Sequence, residues 1–244
     1  MKQVLLSVKE NTPLTSNVYK MTLTGDCSHI TAPGQFVNIK IDGLYLRRPI
    51  SVCDREENKL TIIYKVVGKG TEIMSKMPEG QILDVLTGLG NGYDTSISGE
   101  KPLLIGGGVG VPPMYMLAKE LRAQGKSVSV ILGFNTKSEV FYENEFKVLG
   151  CEVAVTTVDG SYGTKGFVTD AMPVDYSHFF CCGPEPMLKA VYKATATSGQ
   201  FSFEERMGCG FGACMGCSCK TVTGYKRICK DGPVLKKEEI LWED

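Results

Sequence analysis

Short runs in which apolar and polar residues alternate fill the first hundred residues of the chain. Strands are predicted over residues 18–23, 35–41, 48–53, 59–67 and 81–86, and the first ten residues alternate in the same way. Gly, Pro, Asn and Asp turns separate these runs. Evenly spaced short strands predict an antiparallel barrel or sandwich. One helix is predicted in this part of the chain, over residues 70–76.

After residue 99 the pattern changes to apolar strands that alternate with helices. Strands are predicted over 102–105, 128–132, 153–158 and 178–182, and helices over 114–123, 140–149 and 186–197. This alternation is typical of a parallel, doubly wound sheet. The remaining segment, from about residue 199, is too small to hold a core of its own, so we expect its order to depend on a bound metal centre.

Composition and charge exclude several classes of function. Of 244 residues, 27 are basic and 27 acidic, so the formal net charge is zero and no electrostatic attraction to nucleic acid is expected. No apolar run approaches the roughly 20 residues that span a bilayer, and the N-terminus lacks a signal peptide pattern. We therefore predict a cytoplasmic protein without a membrane or nucleic-acid partner.

Four cysteines near the C-terminus have an informative spacing. Cys209, Cys214, Cys217 and Cys229 follow the pattern C-x4-C-x2-C…C, which holds a [2Fe–2S] cluster in plant-type ferredoxins. Interspersed glycines allow backbone N–H groups to approach cluster sulfurs. The alternatives are a zinc site, which usually pairs two C-x2-C knuckles, and ordinary structural thiols. A cluster would pass single electrons.

Cys219 is an alternative fourth ligand. It lies two residues beyond Cys217, a separation that leaves no slack for the chain to reach a second iron. We therefore favour Cys229 as the ligand and interpret Cys219 as a small buried apolar residue.

A glycine-rich turn, residues 106–113, joins a predicted strand to a predicted helix. Such a turn lets a phosphate approach the backbone at a helix N-terminus, although a tight turn without a ligand has the same pattern. No acidic residue ends the second strand to bind a ribose. Lys137 follows that strand, and a lysine at this place suits the 2′-phosphate of NADP. NADP is therefore an alternative to NAD.

These motifs resemble the pyridine-nucleotide domain of the ferredoxin reductase superfamily. The turn is followed some seventy residues later by Cys-Gly-Pro-Glu-Pro-Met, and residues 157–163 resemble the loop that lines the nucleotide site. The resemblance implies a site for NAD. It places Gly107, Gly108 and Gly110 under the dinucleotide phosphates, and Cys182, Gly183 and Pro184 against the nicotinamide.

The first hundred residues resemble the flavin domain of the same superfamily. Arg48, Pro49, Ile50 and Ser51 match the motif Arg-x-x-Ser, with Ile50 where many members have an aromatic residue. In that motif Arg neutralises the FAD diphosphate and Ser bonds the isoalloxazine edge. Further parts of the implied FAD site are Ile63, Tyr64, Lys65, Gly70 and Thr71.

With the cysteine motif added, nearly the whole chain resembles the electron-transfer subunits of NAD-dependent (class 1B) dihydroorotate dehydrogenases. The resemblance implies an FAD-binding β-barrel over 1–98, a Rossmann-like NAD-binding domain over 99–200 and a [2Fe–2S] module over 201–244. It implies a role in pyrimidine biosynthesis and a partner subunit that contains FMN and oxidises dihydroorotate, with two copies of each subunit. No Ser/His/Asp or paired-carboxylate set is present, so no catalytic acid or base is predicted.

Two other functions remain open from the sequence. One is a flavin subunit that exchanges electrons among NAD(P)H, ferredoxin and sulfur compounds, since such reductases combine the same three modules. The other is a redox sensor, for which we expect an additional output domain.

Overall fold

The N-terminal region is a closed antiparallel barrel, which confirms the predicted fold. The structure, a computed structural model, describes residues 1–242, so the last two residues of the predicted 201–244 module lie outside it. The barrel order is β1-β2-β5-β4-β3-β6. Its elements are β1 (Lys2–Pro13), β2 (Val18–Thr24), β3 (Phe36–Ile39), β4 (Arg48–Glu56), β5 (Lys59–Lys65), the helix α1 (Lys69–Ser75) and β6 (Ile82–Leu89).

Alternation along the strands places apolar side chains inside the barrel. In β1, for example, Val4, Leu6 and Val8 are buried in the barrel core, whereas Leu5 is 68% exposed. This period of two is the property of a strand with one buried face.

The second half is a sheet with helices beside it, as predicted, but it has seven strands where four were predicted. The strand order is β10-β9-β8-β7-β11-β12-β15, and a separate hairpin is formed by β13 and β14. The elements are β7 (Pro102–Gly107), α2 (Val111–Ala123), β8 (Ser129–Phe134), α3 (Glu143–Val148), β9 (Glu152–Thr157), β10 (Thr164–Lys165), β11 (His178–Cys182), α4 (Glu185–Ala194), β12 (Gly199–Ser202), β13 (Ser218–Thr221), β14 (Gly224–Arg227), α5 (Ile228–Asp231) and β15 (Val234–Lys236).

Helix boundaries differ from the sequence prediction for local reasons. Helix α2 begins earlier, at Val111, because Pro112 and Pro113 fit a first helical turn. Helix α3 is shorter than predicted, since Tyr142 adopts a left-handed conformation (φ 67°) immediately before it. Helix α4 ends at Ala194, and the extended Thr195 bonds the Val191 carbonyl through its hydroxyl at 2.9 Å.

The cysteine segment, for which we expected no core of its own, shares a core with the sheet. Strand β12 pairs in parallel with β11, so the sheet continues past the predicted domain boundary at residue 200. Strand β15 pairs antiparallel with β12. Phe201, Ile228 and Leu235 pack in one cluster with Leu103 of β7. The hydrophobic pattern did not reveal this because β12 and β15 have only four and three residues. The boundary at residue 200 stays a prediction.

Side-chain contacts at two places connect the N-terminal region with the sheet region. The Tyr93 hydroxyl donates to the backbone carbonyl of Cys181 at 3.2 Å, and the ring packs edge-on against Phe180. Lys119 on α2 forms an ion pair with Asp54 on β4 at 3.0 Å. Within residues 1–242, no helix is both long and apolar enough to cross a membrane.

Candidate redox and nucleotide sites

The four cysteines of the spaced motif lie in one region as two pairs. The N–H of Cys214 donates to Sγ of Cys209 at 3.4 Å, and the N–H of Cys229 donates to Sγ of Cys217 at the same distance. The short loop between Cys209 and Cys214 and the turn into α5 position these pairs.

Backbone N–H groups point at the sulfurs of this segment. Burial raises the pKa of Cys209, but the N–H groups of Cys214 and Phe211 outweigh it and lower that pKa to about 6. At Cys229, burial is the largest effect and, with the adjacent Cys217, raises the pKa to about 12. Amide donors to thiolate sulfur are what an iron–sulfur cluster requires from its surroundings.

The four thiols form two pairs, Cys209 with Cys214 and Cys217 with Cys229. Two such pairs match the four cysteine ligands that a [2Fe–2S] cluster takes. In the described part of the chain, no three His, Cys, Asp or Glu side chains are placed to hold a single metal ion. Cys219 lies on β13, opposite Lys226 of β14, and is half-buried where we expected it to be buried. Its partial burial raises its pKa.

The Arg-x-x-Ser motif lies on β4, beside the start of α1. The Arg48 side chain crosses that start so closely that a Cβ added at Gly70 would lie 2.1 Å from Nε. Thr71 fixes the turn, because its Oγ1 accepts from the N–H groups of Val67 and Gly68 at 3.0 and 3.3 Å. Arg48, Gly70 and Thr71 are thus brought together, and an arginine beside free helical N–H groups suits a diphosphate.

The other predicted flavin residues lie on different faces of the barrel strands β4 and β5. Pro49, Ile50 and Ser51 are half-buried on β4, where Ile50 pairs with Val37 and Ser51 with Phe36 of β3. On β5, Ile63 packs in the core that reaches α2, and Lys65 is half-buried. Tyr64 turns into the barrel, where its hydroxyl donates to Asn11 at 2.9 Å. Only the backbone of Tyr64 is therefore available to a ligand.

The glycine-rich turn and the Cys-Gly-Pro turn are in direct backbone contact. A Cβ at Gly110 would lie 2.2 Å from the carbonyl oxygen of Cys182, and one at Gly183 would lie 3.2 Å from the N atom of Gly107. Pro184 precedes α4 and approaches Gly107 as well. Gly108 has φ +52°, with nothing within 4 Å of an added Cβ. The six predicted residues therefore lie together at the carboxyl ends of β7 and β11.

The loop after β9 lies near the end of β8. The N–H of Lys137 donates to the Ser161 hydroxyl at 2.8 Å, and Lys137 Nζ lies 5.7 Å from the Tyr162 ring centre. The Tyr162 hydroxyl bonds Glu143 at 2.9 Å. Lys137, Glu143 and Tyr162 border an open pocket of about 300 Å³. Its charged lining residues are Lys137, Glu143 and Glu145.

One residue of the site was missed by the sequence analysis. Asn38 on β3 is 1% exposed and its Nδ2 lies 3.4 Å from the carbonyl oxygen of Cys209. A polar residue within an otherwise apolar buried strand, Phe36–Ile39, is the signal that could have identified it.

Two family descriptions match separate parts of the chain. Residues 104–193 match the oxidoreductase NAD-binding domain, and residues 204–241 match the iron–sulfur cluster binding domain of dihydroorotate dehydrogenase B. The second match contains all four cysteines of the two thiol pairs.

Among solved structures, one similar chain comes from the NADH-dependent reduced ferredoxin-NADP oxidoreductase, studied for flavin-based electron bifurcation. It has a TM-score of 0.87 and 32% identity and covers 98% of this chain and 90% of that chain. A ferredoxin NADP⁺ reductase from Neisseria gonorrhoeae, with bound FAD and NADP, has a TM-score of 0.70 and 15% identity, which shows the fold alone. It covers 80% of this chain and 90% of that chain.

Fold and site together define an oxidoreductase of the ferredoxin reductase type with an added iron–sulfur segment. Two curated relatives are each called dihydroorotate dehydrogenase B (NAD(+)), electron transfer subunit. The Fusobacterium nucleatum protein is 47% identical and covers 96% of both chains, and the Geobacillus protein is 44% identical and covers 99% of both. The chain belongs to this family of electron transfer subunits, which confirms the resemblance seen in its motifs.

Proposed function

We propose that this chain relays electrons from a dihydroorotate-oxidising partner through a [2Fe–2S] cluster and FAD to NAD⁺. The observation that carries the proposal is the position of the four paired thiols. They lie beside β3, and the neighbouring strand β4 contains the flavin motif. A cluster, a flavin and a nucleotide site in one chain suit electron transfer and no other reaction.

The cluster ligands in this proposal are Cys209, Cys214, Cys217 and Cys229. The two thiol pairs and the amide donors around them support this set. When bound, the cluster accepts and releases one electron at a time.

Arg48, Gly70 and Thr71 hold the FAD diphosphate in this proposal. The closeness of the guanidinium to the α1 backbone supports that assignment. The half-buried residues Pro49, Ile50 and Ser51, together with Ile63, Tyr64 and Lys65, would border the isoalloxazine from β4 and β5.

The nucleotide binds at the joined glycine and Cys-Gly-Pro turns. Gly107, Gly108 and Gly110 receive the phosphates, and Cys182, Gly183 and Pro184 face the nicotinamide. Because NAD⁺ accepts an electron pair as hydride whereas a cluster carries one electron, the flavin must lie between them. The cluster is therefore the entry point for electrons from the partner.

The partner in this proposal contains FMN and assembles with this chain as two copies of each subunit. We place its docking surface on the cysteine segment, where large apolar side chains are exposed. Phe211 and Met215, which flank Cys214, are 41% and 63% exposed, and Tyr225 on β14 is 72% exposed. Aromatic residues and methionine are enriched at protein interfaces. All ten cysteines are free, which suits the reducing cytoplasm.

Co-expression of the chain with a dihydroorotate-oxidising barrel subunit tests the proposal. Dihydroorotate added to the purified complex should produce NADH from NAD⁺. Substitution of Met215 by Asp should weaken assembly, because it places a charge in an apolar interface, while NADH oxidation by ferricyanide continues. A complex that forms no NADH from dihydroorotate would contradict the proposal.

A second candidate is a reductase that exchanges electrons between NAD(P)H and ferredoxin. The 32% identity to a chain of the NADH-dependent reduced ferredoxin-NADP oxidoreductase favours it. Its test uses the same purified protein. Rapid reduction of ferredoxin by NADH, with no NADH from dihydroorotate, would support this alternative.

A further inference from the structure

Strand β3 has two different faces. Val37 and Ile39 point into the barrel core, whereas Phe36 packs in the cluster of residues that also contains Cys217 and Cys229. Asn38 shares its face of the strand with Phe36, because side chains alternate along a strand. Its side chain therefore points at the cysteine segment and is buried there, with 1% exposure.

The Asn38 amide contacts the segment at Cys209. Its Nδ2 donates to the Cys209 carbonyl oxygen at 3.4 Å. The next residue, Gly210, has φ +76°, and a Cβ there would lie 2.3 Å from the same Nδ2. A side chain at position 210 would thus displace the amide, so the glycine permits this close approach.

The other half of the amide has no partner. Asn38 Oδ1 is buried and accepts no hydrogen bond. An unsatisfied buried carbonyl destabilises a folded protein. An apolar residue of similar size would avoid that cost, and its neighbours Val37 and Ile39 are both apolar. A contribution to stability does not explain the amide.

The backbone of Asn38 is fixed on the flavin side. Asn38 pairs with Pro49 of the Arg-x-x-Ser strand, and Ile39 pairs with Arg48. The Asn38 carbonyl accepts from Arg47 at 3.3 Å, and Arg47 is itself bound to Asp84 at 2.9 Å. One residue therefore connects the flavin strand, through its backbone, with the cysteine segment, through its side chain.

We propose that Asn38 is a positioning residue for electron transfer between the cluster and the flavin. By holding the Cys209 carbonyl, it sets the distance and orientation of the first ligand relative to β4 and tunes the cluster potential. This inference rests on the proposed role of Cys209 as a ligand. In each transfer the cluster is oxidised by one electron and the flavin reduced by one. Two transferred electrons and one proton reduce the flavin fully, and the reduced flavin then passes hydride to NAD⁺.

The test uses the subunit loaded with FAD and cluster and reduced by NADH under anaerobic conditions. Asn38→Leu removes the amide, and Asn38→Asp removes only the donor and adds a charge. Stopped-flow absorbance separates FAD reduction from the slower cluster reduction. We expect unchanged FAD reduction, cluster reduction slowed about tenfold, as for other outer-shell partners of metal centres, and a changed EPR spectrum and midpoint potential.

Asn11→Leu is the matched control. Asn11 is an amide of the same barrel that bonds Tyr64 and the carbonyls of Met74 and Met77, away from the cysteines. It should lower the unfolding midpoint without changing the EPR spectrum. If the Asn38→Leu variant loses iron, the midpoint potential and the EPR spectrum of the Asn38→Asp variant test the inference instead.

The inference would be overturned if both Asn38 variants had the transfer rate, the midpoint potential and the EPR spectrum of the wild-type protein. A wild-type protein that binds no cluster would instead contradict the proposed ligands, so the two failures are distinguishable.

Discussion

The N–H of Cys229 donates a hydrogen bond to Sγ of Cys217 over 3.4 Å, across a gap of twelve residues. Cys219, only two residues from Cys217, lies instead on a hairpin opposite Lys226. The third cysteine of the motif is thus paired with the distant thiol, through the turn that begins α5.

The pairing predicts different effects for the two candidate fourth ligands. Cys229→Ser should lose the cluster, because it removes one of two thiols available to one iron. Cys219→Ser, the matched control, should retain it. Iron and sulfide analysis with EPR of the reduced protein measures both. Loss of iron in the Cys219 variant with retention in the Cys229 variant would reverse the assignment.

Adjacent arginines should have separate functions. Arg48 crosses the start of α1, whereas Arg47 bonds Asp84 and the Asn38 carbonyl. Arg48→Met should weaken FAD binding about tenfold or more, since a hydrogen bond to a charged group contributes about 1.5–3 kcal/mol. Arg47→Met should lower stability and keep FAD affinity. Flavin titration followed by fluorescence distinguishes them, and equal FAD affinity in both variants would contradict the assignment.

Two glycines of one turn should respond differently to alanine. At Gly110 a Cβ meets the Cys182 carbonyl oxygen at 2.2 Å, so Gly110→Ala should destabilise the protein by about 1–3 kcal/mol through overpacking. At Gly108 a Cβ meets no protein atom within 4 Å. Gly108→Ala should therefore cost only about 1 kcal/mol for its left-handed φ, but it should raise the KM for NADH. Thermal unfolding and steady-state kinetics measure these effects. An unchanged KM in the Gly108 variant would place the phosphates elsewhere.

His178 should make stability depend on pH. It is buried beside Gln200, and burial lowers its pKa below the ordinary 6.5, although Glu238 and Asp94 act in the opposite direction. Below about pH 6.5 the unfolded chain therefore binds more protons than the folded one, and stability falls as the pH decreases. His178→Leu should reduce this slope between pH 7 and 5. Denaturation at several pH values measures it, and an identical slope in the variant would contradict the mechanism.

Much of the fold followed from local patterns. Alternation predicted the barrel, and apolar strands followed by helices predicted the sheet, because both periods are set by backbone geometry. Strands β12 and β15 were not predicted as parts of that sheet. They are short, and their place depends on backbone pairing with β11 and with each other, which no periodicity records.

The site was predicted in part for similar reasons. Cysteine spacing and glycine turns carry information along the chain, so the sequence could name residues that the structure brings together around Cys209 and Gly107. The inward direction of Tyr64 and the contact between Asn38 and Cys209 depend on packing between distant segments, 171 residues apart in the second case. Such contacts leave no mark in a single sequence except an isolated polar residue in an apolar strand.

The most direct test of the proposed relay is Cys214→Ala in the complex of both subunits. The variant should lose dihydroorotate-driven NAD⁺ reduction, because electrons from the partner must pass the cluster. Oxidation of NADH by artificial two-electron acceptors should continue, since the proposed flavin and nucleotide sites lie outside the cysteine segment. Loss of both activities together, in a protein that still binds FAD, would contradict the relay.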